Sequence, residues 1–301
     1  MKVLSLCDGM SIAHIALDRI GMHVNKYYAA EIKDVAIKVT KDNYPDTIHI
    51  GDVNKVRYKG GILYTENGNY NVGHIDLMVF GSPCQSFSIA MKTDMRIGLK
   101  DKVRSGLFLE CYRILQEVQP TWFLLENVAS MNEESKGVIS ELLGCQPIFI
   151  DSKLFSAQQR PRYYWTNIPI ESVTPPESPL VLEDIMESEV AEKYFYSHPL
   201  ADVDMKKQVC ATMVYKNHEI HKRIFNPAFK CHTLTTCGGG NTQKKVMDHG
   251  RARKLTPLEY ERLQTLPDNY TAGVSDGARY TAIGNGWTVD VIAYILRGMK
   301  E

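Results

Sequence analysis

Along the first 150 residues, short and mostly apolar runs alternate with stretches whose apolar residues recur every three or four positions. KVLSL, YYAAE, the Ile48-His49-Ile50 run, DLMVFGS and TWFLLENV belong to the first kind. Such runs predict strands covered on both faces. IAHIALDRI, VAIKVTKDNY and LFLECYRILQEV belong to the second and predict helices, the last one stopping before Pro120. Strand and helix in alternation predict an α/β fold, a Rossmann-like and mostly parallel sheet with helices on both faces. Ligands of such sheets sit beyond the carboxyl ends of the strands. Asp8, Glu31, Asp52, Cys84 and Glu126 all fall at those ends.

From residue 171 the texture changes. ESVTPPESPL is rich in proline and acids and reads as a linker, and LEDIMESEVAEKY as a short acidic helix. A basic stretch centred on CHTLTTCGGGNTQKK follows. RKLTPLEYERLQTL predicts a helix with Thr256 as N-cap, Pro257 in the first turn and Glu259 three residues after the cap. GNGWTVDVIAYILRGM predicts a long amphipathic helix.

The 301 residues, 44% of them hydrophobic, suit one large or two modest globular domains. No apolar run approaches the roughly 20 residues that cross a bilayer, and the N-terminus lacks a signal-peptide pattern. The seven cysteines include no C-x-x-C pair. Cys231 and Cys237 flank His232, but no second pair completes a zinc site. The expectation is a cytoplasmic, reduced protein without a metal. Net charge is zero, yet residues 205–255 hold eleven Lys or Arg against two acids, a local +9 that the remainder balances at −9. Segregation of this kind is the footprint of a face for a polyanion, or else of a solvated lysine-rich surface.

The strand–Asp8-Gly9–helix turn, with Glu31 placed 22 residues after the glycine, has the layout of a nucleotide-binding βαβ unit. There the acid accepts hydrogen bonds from ribose hydroxyls. The G-x-G-x-x-G set that brings backbone against a pyrophosphate is absent, which argues against NAD and FAD. A ligand with ribose and adenine but no phosphate, such as S-adenosylmethionine, is compatible, with Asp52 accepting from the adenine amino group. The plainer reading is a sharp turn with solvated acids. In FGSPCQSFS, Pro83 fixes the backbone before Cys84. A thiol in a polar turn at a strand end ionises more readily than one in a core. Glu126 ends a neighbouring apolar strand and would donate a proton to a ring nitrogen. SAQQRPRYYW supplies Gln158, Arg160 and Arg162, guanidiniums suited to a carbonyl oxygen and a phosphate, or to interdomain ion pairs.

Taken together these segments resemble the ordered motif set of the DNA (cytosine-5-)-methyltransferase family. LSLCDGMS resembles its cofactor motif, GSPCQSFS its Pro-Cys motif, ENV its Glu-Asn-Val motif and Q-x-R-x-R its arginine motif. RKLTPLEYERLQTLPDNYT and IGNGWTVDVIAYI resemble the two C-terminal motifs. The resemblance spans residues 1–170 and 250–301.

The resemblance implies that a target cytosine is flipped out of duplex DNA. Cys84 then attacks carbon 6, Glu126 holds and protonates ring nitrogen 3, Arg162 meets the carbonyl oxygen, and Arg160 supports the pocket or a phosphate. It implies S-adenosyl-L-methionine as cofactor. The holding residues would be Cys7, Asp8, Gly9, Ser11, Ile12, Glu31, Ile32, Asp52, Val53, Pro83 and Leu107, closed over by Asn285, Gly286 and Trp287. Cys7 stands where the family commonly has a phenylalanine against the adenine. Residues 1–184 and 276–301 would form the catalytic domain, and 185–275 the target-recognition domain. Ser86, Arg104, Gln158, Thr233, Thr235, Asn241, Gln243 and Lys244 would face DNA. The expected partner is double-stranded DNA, with a cognate restriction endonuclease as a candidate second partner and the chain acting as a monomer. The alternatives are a transfer-RNA substrate on the same scaffold, and an inactive DNA-binding regulator.

Overall fold

The computed structural model describes residues 1–81, 107–170, 175–237 and 241–299. Pro83, Cys84, Ser86 and Arg104 lie outside these residues. The chain divides into two compact units, one of residues 1–150, 161–173 and 291–301, the other of residues 151–160 and 174–290. The second unit therefore takes in more of the chain than 185–275.

The first unit begins with β1 (Lys2–Leu6), α1 (Ile12–Arg19), β2 (Lys26–Ala30), α2 (Asp34–Asn43) and β3 (Ile48–His49). A small antiparallel sheet follows, made of β4 (Arg57–Lys59), β5 (Ile62–Thr65) and β6 (Gly68–Asn71). Then come β7 (Leu77–Phe80), α3 (Leu107–Val118), β8 (Trp122–Val128), α4 (Glu133–Leu143) and β9 (Ile148–Asp151). After β10 (Gln158–Gln159) in the second unit, β11 (Pro161–Thr166) returns to the first.

Among the described residues the main sheet has the strand order β3-β2-β1-β7-β8-β11-β9. The pairs β1–β2, β2–β3, β1–β7 and β7–β8 are parallel, and β11 runs antiparallel to β8. Leu4, Leu6, Met78, Phe80, Leu125 and Trp165 are buried in one core with Phe108, Cys111 and Ile114 of α3. Each such side chain contributes about 1.5–3 kcal/mol by leaving water. That core explains why the strands read as mostly apolar runs. The β4–β6 hairpin sheet is an addition that the apolar pattern does not predict.

The second unit continues with α5 (Leu182–Ile185), β12 (Leu200–Ala201), β13 (Val209–Met213), α6 (Glu219–Lys222), β14 (Arg223–Phe225) and β15 (Cys231–His232). It ends with β16 (Lys245–Asp248), β17 (Arg251–Lys254), α7 (Pro257–Leu263) and α8 (Asp276–Asn285), and α9 (Val289–Leu296) crosses into the first unit. β12, β13, β14, β16 and β17 form a sheet in that order over Cys210, Met213, Ile224 and Met247. The expected cap of α7 is present: Thr256 Oγ1 accepts from the Glu259 N–H, and the Glu259 carboxylate accepts from the Thr256 N–H at 2.7 Å. The acidic helix at LEDIMESEVAEKY is shorter than its composition suggests. The chain leaves the helix at Met186 because the Glu187 N–H bonds Glu259 at 3.0 Å and the Glu187 carboxylate takes the Thr256 hydroxyl.

Candidate active site

The carboxyl ends of β1, β2 and β3 lie side by side, so parallel pairing alone gathers Asp8, Glu31 and Asp52. The turn after β1 alternates left-handed residues: Cys7, Gly9 and Ser11 have φ of 54°, 64° and 55°. Glycine serves at position 9 for its backbone angle, since an added Cβ would meet nothing within 4 Å. Cys7 and Ser11 have no such freedom and store about 1–3 kcal/mol each, a cost that clusters at functional sites.

The turn is tied to β2 by the Asp8 N–H to the Ala30 carbonyl at 3.0 Å and the Gly9 N–H to Glu31 Oε2 at 2.9 Å. Glu31 Oε1 also accepts from the N–H groups of Ile32 and Lys33, at 2.8 and 2.9 Å. Three backbone donors therefore fix one carboxylate at the strand end. Asp8 accepts the hydroxyls of Tyr27 at 2.7 Å and Ser11 at 2.6 Å. Burial pushes its carboxyl above the usual range, against the pull of those hydroxyls. Asp52 Oδ1 accepts the N–H and Nδ2 of Asn54, at 2.9 and 2.8 Å, while Oδ2 accepts no hydrogen bond from the described residues. Ile32, 67% exposed beside Glu31, is an apolar surface at the same edge.

Ser11, Ile12 and Val53 are buried and face inward, as supports of the turns. Cys7 packs partly against the core, where its thiol lies by Cys111 and helps to push that thiol's pKa up. A fixed carboxylate, an apolar edge and a second carboxylate with no phosphate cradle fit a ribose–adenine group.

The second cluster lies on β8 and β11. Tyr164 stands opposite Glu126 in the antiparallel register and Arg162 opposite Val128. Arg162 is therefore the diagonal neighbour of Glu126 on the same face. Its Nε stands 2.7 Å from Glu126 Oε1, with each side chain 11% exposed. The next residue, Asn127, is fully buried; its Oδ1 accepts the Val128 N–H at 2.8 Å, and its Nδ2 has no partner among the described residues. Leu107, half-buried, opens α3.

The second unit departs from expectation. Arg160 does not present its guanidinium to solvent. It is 3% exposed, and it donates to the carbonyls of Leu234 at 2.9 Å, Gly284 at 3.1 Å and Gly286 at 2.8 Å. Gln158 is likewise buried, bonded to the Leu263 carbonyl, Gln264 and the Leu234 N–H. Lys244 is buried over the Phe225 ring, and burial lowers its pKa, so it is not a phosphate contact. Lys245 is fully buried and clamps the carbonyls of His221, Asn241 and Gln243 at 2.8, 2.7 and 3.0 Å.

Lys230 grips Ser156, Ser178 and Leu180 in the same way, and Arg253 is buried between Asp248 and Glu259. Part of the +9 segment is thus spent inside the fold, where clamps satisfy carbonyls that would otherwise lack donors. Lys206, Lys207, Lys216 and Arg251 remain exposed. Thr233 bonds the Gln159 carbonyl at 2.8 Å, Thr235 and Gln243 are half-buried, and Asn241 is exposed with φ 61°. Asn285 is exposed, Gly286 supplies its carbonyl to Arg160, and Trp287 is half-buried.

Tyr27 under Asp8 and Glu66 beside Asp52 escaped the sequence reading, and Asn127 entered it only as a member of the Glu-Asn-Val motif, without a role of its own. Only Asn127 carried a signal, its place inside ENV. Among the described residues no group of three or more His, Cys, Asp or Glu could hold a metal, and no helix is long and apolar enough to cross a membrane.

A family model described as C-5 cytosine-specific DNA methylase matches residues 1–301. The chain is 30% identical over 316 residues to the type II methyltransferase M1.ScrFI of Lactococcus lactis subsp. cremoris, covering 96% of this chain and 76% of that one. It is 28% identical over 327 residues to the type II methyltransferase M.HpaII of Haemophilus parainfluenzae, covering 96% and 86%. The solved methyltransferase EhMeth of Entamoeba histolytica shares the fold at a TM-score of 0.71 and 16% identity, covering 100% of this chain and 99% of that one.

Proposed function

The chain belongs to the C-5 cytosine-specific DNA methylase family, and from that premise we propose that it methylates carbon 5 of a flipped cytosine in duplex DNA, with S-adenosylmethionine as cofactor. The observation that supports this most is the Glu126–Arg162 pair, a carboxylate and a guanidinium on one face at the carboxyl end of a central strand. Glu31 would accept from the ribose, Asp52 from the adenine amino group, and Ile32 would cover the adenine. When bound, the cofactor supplies an electrophilic methyl group.

The protein's part is to make carbon 5 a nucleophile. The Cys84 thiolate forms a bond to carbon 6, and the displaced electron pair moves toward ring nitrogen 3 and the carbonyl oxygen. Glu126 delivers a proton to nitrogen 3 while Arg162 stabilises the charge on oxygen. With the cofactor bound, carbon 5 would take the methyl and S-adenosylhomocysteine would leave; the carbon 5 proton would then pass to water as the carbon 6–sulfur bond breaks to re-form the double bond and the thiolate, and the nitrogen 3 proton would return to the Glu126 carboxylate. Arg160 has a structural role in this reading, its guanidinium satisfying the carbonyls of Leu234, Gly284 and Gly286. The second unit would read the target, with Asn241, Thr235 and Gln243 as candidate readers and the exposed lysines on the backbone.

The test is trapping. Duplex oligonucleotides bearing 5-fluorocytosine in place of cytosine, incubated with the protein and S-adenosylmethionine, should give a denaturation-resistant adduct that maps to Cys84. Cys84→Ala should give none. Trapping on a fluorinated transfer RNA but not on duplex DNA would transfer the activity to RNA, and no adduct on either would overturn the mechanism.

A further inference from the structure

We infer that Glu66, at the tip of the β5–β6 hairpin, is a positioning residue for cofactor binding: its carboxylate fixes the backbone of Asp52 so that the Asp52 side chain is presented at the sheet edge. The inference rests on the proposed role of Asp52.

The hairpin is an addition to the sheet, and its tip ends on the turn after β3. Glu66 Oε1 accepts the Asp52 N–H at 2.6 Å, and Oε2 pairs with Lys55. Asn67 Nδ2 donates to the His49 carbonyl at 3.0 Å. Gly51, at φ 81°, leaves the room: a Cβ there would stand 2.2 Å from Glu66 Oε1. The tip is itself braced, with Thr65 Oγ1 donating to the Gly68 carbonyl at 2.8 Å. The base is anchored by the buried Leu63 and by Tyr70 against Tyr28 of β2, ring centroids 5.9 Å apart.

Glu66 therefore reaches Asp52 from a rigid support. The Lys55 ammonium and the Asp52 N–H hold its carboxyl below the usual range, so it stays an acceptor at neutral pH. With its backbone N–H taken by Glu66 and Oδ1 taken by Asn54, Asp52 keeps an Oδ2 that accepts no hydrogen bond among the described residues and would serve a ligand. Without Glu66 the N–H turns to water, and the side chain samples other directions.

Binding of S-adenosylhomocysteine by titration calorimetry tests this, on the full chain with wild type, E66A, E66Q, E66D, K55M and D52A. E66A should weaken binding about tenfold, the scale of one hydrogen bond to a charged acceptor. KM for S-adenosylmethionine should rise in step, with kcat at saturation and KM for DNA unchanged. E66Q, whose amide oxygen still accepts the N–H, should stay within about threefold, and K55M likewise. E66D keeps the charge but falls short, and should behave as E66A; it decides the matter if E66A does not fold. Should E66A or E66D bind like wild type while D52A binds weakly, Glu66 has no positioning role and Asp52 keeps its own. Should D52A itself bind like wild type, the reading of Asp52 fails and this inference with it.

Discussion

Arg162 Nε and Glu126 Oε1 stand 2.7 Å apart because β11 returns antiparallel beside β8 and sets the two residues diagonally on one face. Neither charge is well hydrated, so each depends on the other. Removing one partner from such a pair costs about 3–5 kcal/mol, because the survivor is left buried and unpaired. Glutamine at 126 removes the charge but reduces that penalty, since its amide oxygen still accepts from Arg162. E126Q should thus fold with nearly the wild-type melting temperature and bind S-adenosylhomocysteine normally. It should nevertheless lose methyl transfer by roughly 10²–10⁴-fold, the worth of a positioned proton donor. Single-turnover transfer of tritiated methyl measures this; a rate within tenfold of wild type would remove Glu126 from the chemistry.

Arg160, two residues away in sequence, is expected to behave oppositely. Its guanidinium satisfies three backbone carbonyls inside the second unit. R160M leaves those carbonyls without a donor, at about 1–3 kcal/mol for each that water cannot reach. The variant should show a lower urea midpoint with an unchanged slope, while kcat per folded molecule holds. Full stability with abolished turnover would instead put Arg160 at the substrate.

The buried lysines make a third test. Lys245 binds three carbonyls and has no free face, whereas Lys206 and Lys216 are exposed. K245M should lower stability and leave the dependence of DNA affinity on salt as it was. Reversing Lys206 and Lys216 together should reduce the slope of log K against log salt by about 0.9 for each phosphate the protein no longer neutralises. Fluorescence anisotropy between about 50 and 200 mM salt separates the two. A shallower slope in K245M alone would mean that the second unit opens to DNA.

Much of the first unit was legible because its strands are covered on both faces, so burial wrote itself into KVLSL, DLMVF and FLLENV as mostly apolar runs. Strand-end acids then followed from parallel pairing, and Thr256 with Glu259 from capping chemistry. The β4–β6 sheet was missed although Asn67-Gly68 is a hairpin dipeptide, because the flanking strands are three or four residues long and scarcely alternate. The Glu126–Arg162 contact depends on β11 running against the otherwise parallel strands, which no local pattern encodes. Lys244 and Lys245 read as surface because lysine is rarely buried. What buries them is a sheet partner, β14, and, for Lys245, the carbonyl of His221 24 residues earlier with those of Asn241 and Gln243 nearby.

The remaining prediction concerns pH. Burial holds the Asp8 carboxyl above its ordinary value of 3.8, even with Tyr27 and Ser11 donating to it. A raised native pKa means that, between 3.8 and the native value, the folded chain binds more protons than the unfolded one. Stability contributed by this group is therefore highest at low pH, falls as pH rises through that window, and is constant above it. Asparagine cannot ionise, and its oxygen and amide can still meet two hydroxyls that rotate to suit. The difference in unfolding free energy between D8N and wild type should accordingly rise with pH across the window in favour of D8N, then level off. Other carboxylates contribute to both proteins and cancel in that difference. Urea unfolding in steps from about pH 4 to 8 would measure it. A difference that stays flat, or that moves toward wild type as pH rises, would show that the hydroxyl bonds outweigh burial and that the turn after β1 holds an ionised acid at no cost.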